Sequence, residues 1–221
     1  MKNVTSEKDK MEKDKELETD KFWLSEKKVV HEGRFLNYCT KTFKNKETGK
    51  GGVWEFAERT GINNTMGGVN IVAFAEQPNG KKALIIEQIF RVPNARYMLE
   101  LPAGLRDEED KSALECAARE VKEETGYVAV PVKEFELVPV TLNDPWKSTE
   151  KTHFCVLRVD LDAEENKNPQ QDLEGAEDIT VRWVEMDDLA NNLQKLAKEN
   201  NCGIEAMLWT FALGLQTAKE A

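Results

Sequence analysis

Residues Leu101 to Tyr127 read LPAGLRDEEDKSALECAAREVKEETGY, and the rest of the chain is best understood outward from them. Ser112-Ala113-Leu114-Glu115 is a capping box, a hydroxyl and a carboxylate able to pair the orphan amides of a helix start. Gly126 stands where a helix ends in a left-handed conformation, so the spacing predicts a helix over 112–125. Within it Leu114, Ala117, Ala118 and Val121 recur at i, i+3, i+4 and i+7 as one apolar stripe. Opposite the stripe, Glu120 and Glu124 lie one turn apart on an exposed arc with Glu123, and Arg119 can reach Glu123 at i+4. A solvated amphipathic helix is the ordinary reading of such a pattern. Here, however, like charges are stacked at a helix C-terminal end, where both their mutual repulsion and the macrodipole disfavour them. Carboxylates crowded together without histidine or cysteine suit Mg²⁺ or Mn²⁺, hard cations that prefer oxygen ligands.

The whole chain supports carboxylate chemistry. It has 221 residues, with 31 Lys+Arg against 41 Asp+Glu, a net charge of −10 and only two histidines, His31 and His153. That acidic balance argues against nucleic acid as a partner, since phosphate-driven binding needs a basic face. It also disfavours an anionic membrane surface. No apolar run reaches the roughly 18 residues of a membrane span, and the charged start does not read as a secretory signal. Cys39, Cys116, Cys155 and Cys202 form no C-x-x-C pair, which suits reduced thiols in a cytoplasmic or nuclear compartment.

Residues 1–24 read as a charged, disordered tail, because the first twenty hold five Lys and seven Asp/Glu with few apolar side chains. Short β-like runs follow at Val29-Val30, Phe35–Phe43 and Val53–Phe56, the last two separated by the turn Glu47–Gly52. Residues 69–74 and 83–90 are apolar runs joined at Pro78-Asn79-Gly80, predicting a buried hairpin. Val130–Leu142, Thr152–Leu161 and Thr180–Val184 read as further strands, Asp162–Asp172 as a polar loop, and Met186–Glu199 and Ile204–Ala218 as helices. No composition shift divides 25–218, which predicts a single α+β domain.

Gly104 followed by Arg119-Glu120-Val121-x-Glu123-Glu124-x-Gly126-Tyr127 resembles the Nudix box, G-x5-E-x7-R-E-U-x-E-E-x-G-U, where U is bulky and apolar. The loop is one residue longer than the pattern. Counting forward from Gly104 puts Asp110 at the first Glu position; counting back from Arg119 puts Lys111 there. The resemblance implies an α/β/α sandwich with a mixed sheet over 67–218, preceded by an N-terminal β region, 25–66, that serves nucleotide stacking and dimer contacts. It implies hydrolysis of a nucleoside diphosphate linked to another group. Glu120, Glu124 and the Ala103 carbonyl would bind Mg²⁺ or Mn²⁺, Glu123 would assist, and Arg119 would orient the glutamates.

Other pieces are similar to eukaryotic ADP-sugar pyrophosphatases. Glu87-Gln88-Ile89-Phe90-Arg91 followed by Glu100-Leu101-Pro102-Ala103-Gly104-Leu105 is like their Q-[FY]-R and E-x-P-A-G elements. Arg91 would hold a phosphate and Glu100 would add a metal ligand, with a buried arginine partner, suited to its setting between Leu99 and Leu101, as the alternative. Glu32-Gly33-Arg34-Phe35 and Val53–Arg59 resemble the region whose aromatics stack on adenine, so Phe35, Trp54, Glu55 and Arg59 join Leu105 and Asp144 as substrate contacts. Core or interface packing is the plainer role for Phe35 and Trp54. Glu177, with Glu174 second, would be a mobile catalytic base. The implied reaction converts ADP-ribose to AMP and ribose 5-phosphate in a homodimer, with Phe35 and Trp54 drawn from different subunits around one base. Other nucleotide substrates (UDP-glucose, GDP-mannose, 8-oxo-dGDP) and a silent ADP-ribose sensor are the alternatives.

Overall fold

The computed structural model describes residues 19–61, 67–135, 139–175 and 177–220. The chain divides into two compact units, one of residues 1–65 with 142–150, the other of residues 66–141 with 151–221. The second unit is interrupted in sequence by an excursion, residues 142–150, that belongs to the first.

The first unit is a small antiparallel sheet of β1 (Phe22–Leu24), β2 (Lys28–Glu32), β3 (Leu36–Asn45) and β4 (Gly51–Arg59), with β3 pairing all three others. β1 falls inside the stretch expected as disordered tail, because Phe22–Leu24 finds an edge at Phe43–Asn45; residues 1–18 lie outside the described residues. The β3–β4 turn forms where expected. Asn45 Oδ1 accepts from the amides of Glu47 and Thr48, and Gly49 takes a φ of 68° that a side chain would resist. The 142–150 excursion is laced to β4 by Ala57 N to Lys147 O and Thr149 N to Ala57 O.

The second unit is a mixed sheet covered on both faces. β5 (Gly68–Glu76), β6 (Lys82–Arg91), β7 (Arg96–Glu100) and β8 (Ala103–Leu105) lead into helix α1 (Ala113–Thr125). β9 (Ala129–Pro131), β10 (Val140–Leu142), β11 (Lys151–Val159), β12 (Ile179–Glu185), α2 (Leu189–Asn200), β13 (Gly203–Ile204) and α3 (Ala206–Glu220) follow. The sheet runs β10-β11-β5-β6-β7-β13, with β12 also on β6, β8 on β5 and β9 on β11; β11 is parallel to β5 and β13 to β7. The unbroken apolar runs of β5 and β6 are accounted for by burial on both sides. Val69, Ile71, Ala73 and Ile85 pack under Ala113, Cys116, Ala117 and Val121 of α1. Val72, Leu84 and Ile86 pack under Leu189 and Leu193 of α2 and Leu208 of α3. This is the expected α/β/α sandwich.

Three local expectations are corrected. The strand expected over Val130–Leu142 is broken into β9, a 3-10 turn at Lys133–Phe135, and β10; Pro131 has no N–H to continue a ladder. The buried residues of α1 are Ala113, Cys116, Ala117, Val121, Glu124 and Thr125, while Leu114 and Ala118 are only half-buried. Small residues among them let α1 sit close to the sheet, and the rotation carries Glu124 inward rather than onto an exposed arc. Among the described residues, no helix is long and apolar enough to cross a membrane.

Candidate active site

The carboxylates of α1 are held by three backbone and side-chain devices. The first is Gly104. A Cβ placed there would stand 1.9 Å from Glu120 Cδ and about as close to both carboxylate oxygens. The glycine of the loop is therefore the seat of the Glu120 carboxylate, which lies directly against the β8 backbone. The second is the Ala103 amide, which donates to Glu124 Oε2 at 3.2 Å.

The third is Arg119. Its Nη2 donates to Leu105 O (3.0 Å) and to Asp110 Oδ2 (2.9 Å), Nε to Asp110 Oδ1, and Nη1 lies 2.9 Å from both Glu120 Oε1 and Glu123 Oε2. This settles the register left open by the long loop: Asp110, not Lys111, pairs with the arginine, and the extra residue is absorbed between Asp110 and the helix. Lys111 instead donates its amide to Glu115, within the capping box. Burial pushes the Asp110 carboxyl up, but Arg119 and the Asp107 amide outweigh it and hold it below its ordinary value. Asp110→Ala is expected to destabilise the fold by about 2 kcal/mol, because Arg119 loses its bidentate partner in a partly buried site. Urea unfolding would read that loss, and an unchanged midpoint would contradict the assigned role.

A residue not singled out from sequence lies beneath this nest. Glu87, 2% exposed, interrupts the apolar run of β6 opposite Glu100 of β7. It hydrogen-bonds with Glu124, whose carboxyl is pushed far above the ordinary range by burial and then by the charges of Glu87 and Glu120. Burial also pushes Glu87 up, and its Oε1 has no hydrogen-bond partner. Glu120 is pushed up to about 7 by burial, with Arg119 opposing. A single carboxylate inside Ala83–Phe90 was the signal that could have flagged Glu87, since an uncompensated buried acid is costly.

Among the described residues, no three acidic, histidine or cysteine side chains stand as a ready-made metal cage. Glu120 and Glu123 are turned onto Arg119, and Glu124 onto Glu87 and the Ala103 amide. The donor chemistry nevertheless fits a hard divalent cation. The donors are all oxygen, one buried carboxylate atom is unpartnered, and two neighbouring carboxyls are driven toward their neutral forms chiefly by burial.

The remaining expected residues fall as follows. Glu100 is bound by Arg91, with Nη2 to Oε2 at 2.9 Å and Nε 3.2 Å from both oxygens; the arginine-partner role is the one the structure displays. Leu105 contributes its carbonyl to Arg119. Glu177 is in the loop before β12, where its carboxylate accepts from the Glu174 amide at 3.0 Å, and its charge is felt at Glu87. The neighbouring Asp178 accepts from the Tyr97 hydroxyl.

In the first unit, Trp54 is half exposed and lines an apolar cleft of about 510 Å³ with Phe22, Phe43, Phe56 and Pro145. Its indole N–H donates to Trp146 O at 2.7 Å, which fixes the ring. Phe35 is not beside it. Phe35 O accepts from Thr60 N, next to Arg59, and Arg59 is five residues along β4 from Trp54, roughly 17 Å at strand rise. Within one chain the two rings do not face a common base. Glu55 is a partner of Tyr38, Arg59 of Glu150, and Asp144 of Lys147 at 3.0 Å.

Residues 66–206 match the NUDIX domain family model. A nudix hydrolase of Caenorhabditis elegans is 34% identical over 200 residues, covering 89% of this chain and 86% of that protein. An uncharacterized Nudix hydrolase of Schizosaccharomyces pombe is also 34% identical, over 173 residues, 76% of this chain and 80% of its own. An ADP-sugar pyrophosphatase of Mus musculus is 26% identical over 199 residues, 90% of this chain and 89% of its own.

Proposed function

The chain belongs to the Nudix hydrolase family, and from that premise we propose that it hydrolyses the diphosphate of ADP-ribose and related ADP-sugars to AMP and a sugar phosphate. The observation that carries the reading is the carboxylate nest of Glu120, Glu123 and Glu124, seated on Gly104 and Ala103 and braced by Arg119. The similarity to the mouse ADP-sugar pyrophosphatase supports the choice of substrate.

Glu120, Glu124 and the Ala103 carbonyl would hold Mg²⁺ or Mn²⁺, with Glu123 assisting and Glu87 beneath. A cation held there would supply positive charge against the pyrophosphate, which an acidic cleft otherwise repels, and against the charge that develops as the P–O bond breaks. The protein's own groups do the rest. Arg119 spends its hydrogen bonds on Asp110, Glu123 and Leu105 O, so it orients carboxylates rather than touching substrate. Arg91, anchored on one edge by Glu100, keeps Nη1 for a phosphate oxygen. Glu177 takes the proton of the attacking water, for which its carboxylate must leave the Glu174 amide. Trp54 offers a fixed aromatic face, and stacking on such a face is tolerant of base identity. Two chains are needed in this reading, because Phe35 and Trp54 can flank one base only if they come from different subunits.

Turnover separates this reading from that of a silent sensor. ADP-ribose mixed with the protein and Mg²⁺ is expected to yield AMP, and excess EDTA to stop it. Tight binding by calorimetry with no product would overturn the enzymatic reading.

A further inference from the structure

The last turn of α1 leaves carbonyls with no intrahelical donor, as every helix end does. Gly126 N takes Lys122 O as the C-cap. The next two carbonyls are satisfied by the segment that precedes β12. Asp172 N donates to Glu123 O at 2.8 Å, and Gln171 Nε2 donates to Glu124 O at 2.5 Å. The same Gln171 Nε2 is 3.2 Å from Ile179 O, the first residue of β12. Both partners are carbonyl oxygens, so the amide nitrogen, not its oxygen, must face them. The backbone reinforces the junction. Gly126 has a φ of 79°, and a Cβ there would meet Gln170 N at 2.5 Å.

The loop that carries Glu177 thus has its two ends, Gln171 and Ile179, drawn together by one side chain and fastened to the carbonyl of Glu124 itself. Glu177 sits in that loop, and its charge reaches Glu87 below the nest. We propose that Gln171 is a positioning residue: its side-chain amide ties both ends of the Glu177 loop to the last turn of α1 and so sets where the Glu177 carboxylate stands relative to Glu120 and Glu124. The claim rests on Glu177 being the base.

Gln171 is exposed, so replacing it leaves the core untouched. Gln171→Leu keeps a side chain of comparable bulk and loses the donors. It is expected to lower kcat by roughly 10- to 100-fold, as displacement of a catalytic group does, with KM within about twofold. In a Glu177→Gln background the same substitution is expected to change kcat by less than about twofold, because two residues acting as a unit are not additive. Gln171→Lys, which restores a donor, is expected to recover part of the loss. Hydrogen exchange should quicken at 172–178 and stay unchanged in β11. Wild-type kcat in Gln171→Leu, when Glu177→Gln alone is inactive, overturns the positioning role. An equal loss in both backgrounds also overturns it, by showing a general structural effect. Wild-type kcat in Glu177→Gln alone removes the base assignment first and the positioning role with it.

Discussion

Gly104→Ala is expected to lower turnover by at least about a hundredfold while the chain stays folded, since misplacing a catalytic group by about 1 Å can cost that much. The added methyl would overlap the Glu120 carboxylate, with all three of its terminal atoms within 2.3 Å. Glu120 is the end of a flexible side chain, so it can move aside, which is why the fold survives and the function does not. In leaving, it abandons its seat against Gly104 and its ion pair with Arg119. The variant should therefore lose divalent-cation binding in parallel with activity, read by calorimetry with Mn²⁺ alone. Wild-type turnover in Gly104→Ala would show that the position of Glu120 against β8 has no catalytic meaning.

The metal-free protein is expected to lose stability as pH rises from about 5 to 8, contrary to what paired carboxylates usually do. Glu120 has its folded value raised from 4.5 to about 7. The folded state therefore binds the proton more tightly than the unfolded state does. The stabilisation is fully present below 4.5 and is lost as pH passes through 7. Its side chain is 12% exposed, and the shift corresponds to something on the order of 3 kcal/mol. Glu87 and Glu124 are also raised, which carries the loss further up the scale. Asp110 acts in the other direction, but its contribution is lost only on acidification below the ordinary carboxylate range, outside this window. Divalent cation should reverse the trend by binding the folded state alone. Melting curves in EDTA and in Mg²⁺ across this range test it. A melting temperature in EDTA that is flat or rising from pH 5 to 8 would contradict the buried, uncompensated nest.

Much of this was legible in the sequence because it is local. The capping box at Ser112, the glycine at 126 and the Arg-Glu-Val-x-Glu-Glu spacing all lie within one helix, where period and caps speak directly. The apolar runs of β5 and β6 announced a buried hairpin, and the family resemblance the sandwich around it. What was hidden depends on contacts between distant segments. Helical periodicity from apolar residues alone put Glu124 outside; it is inside because Glu87, thirty-seven residues earlier on β6, shares its hydrogen bond. Gln171 looked like one polar residue in a polar loop, and only the fold reveals that Glu124 O and Ile179 O converge on it. Counting could not choose between Asp110 and Lys111, whereas the guanidinium of Arg119 does so by geometry. The excursion at 142–150 joined the first unit for the same reason: its partner, Ala57, pairs with Ser148 across 91 residues of chain.

The central claim is that the nest acts on an ADP-sugar with a divalent cation. Its most direct test is a panel of nucleotide sugars assayed with Mg²⁺ and product identification by chromatography. AMP and ribose 5-phosphate from ADP-ribose should form at least roughly tenfold faster than UMP from UDP-glucose or GMP from GDP-mannose, a discrimination within reach of one binding site. Comparable rates across the panel, or no hydrolysis of any member, would contradict the account.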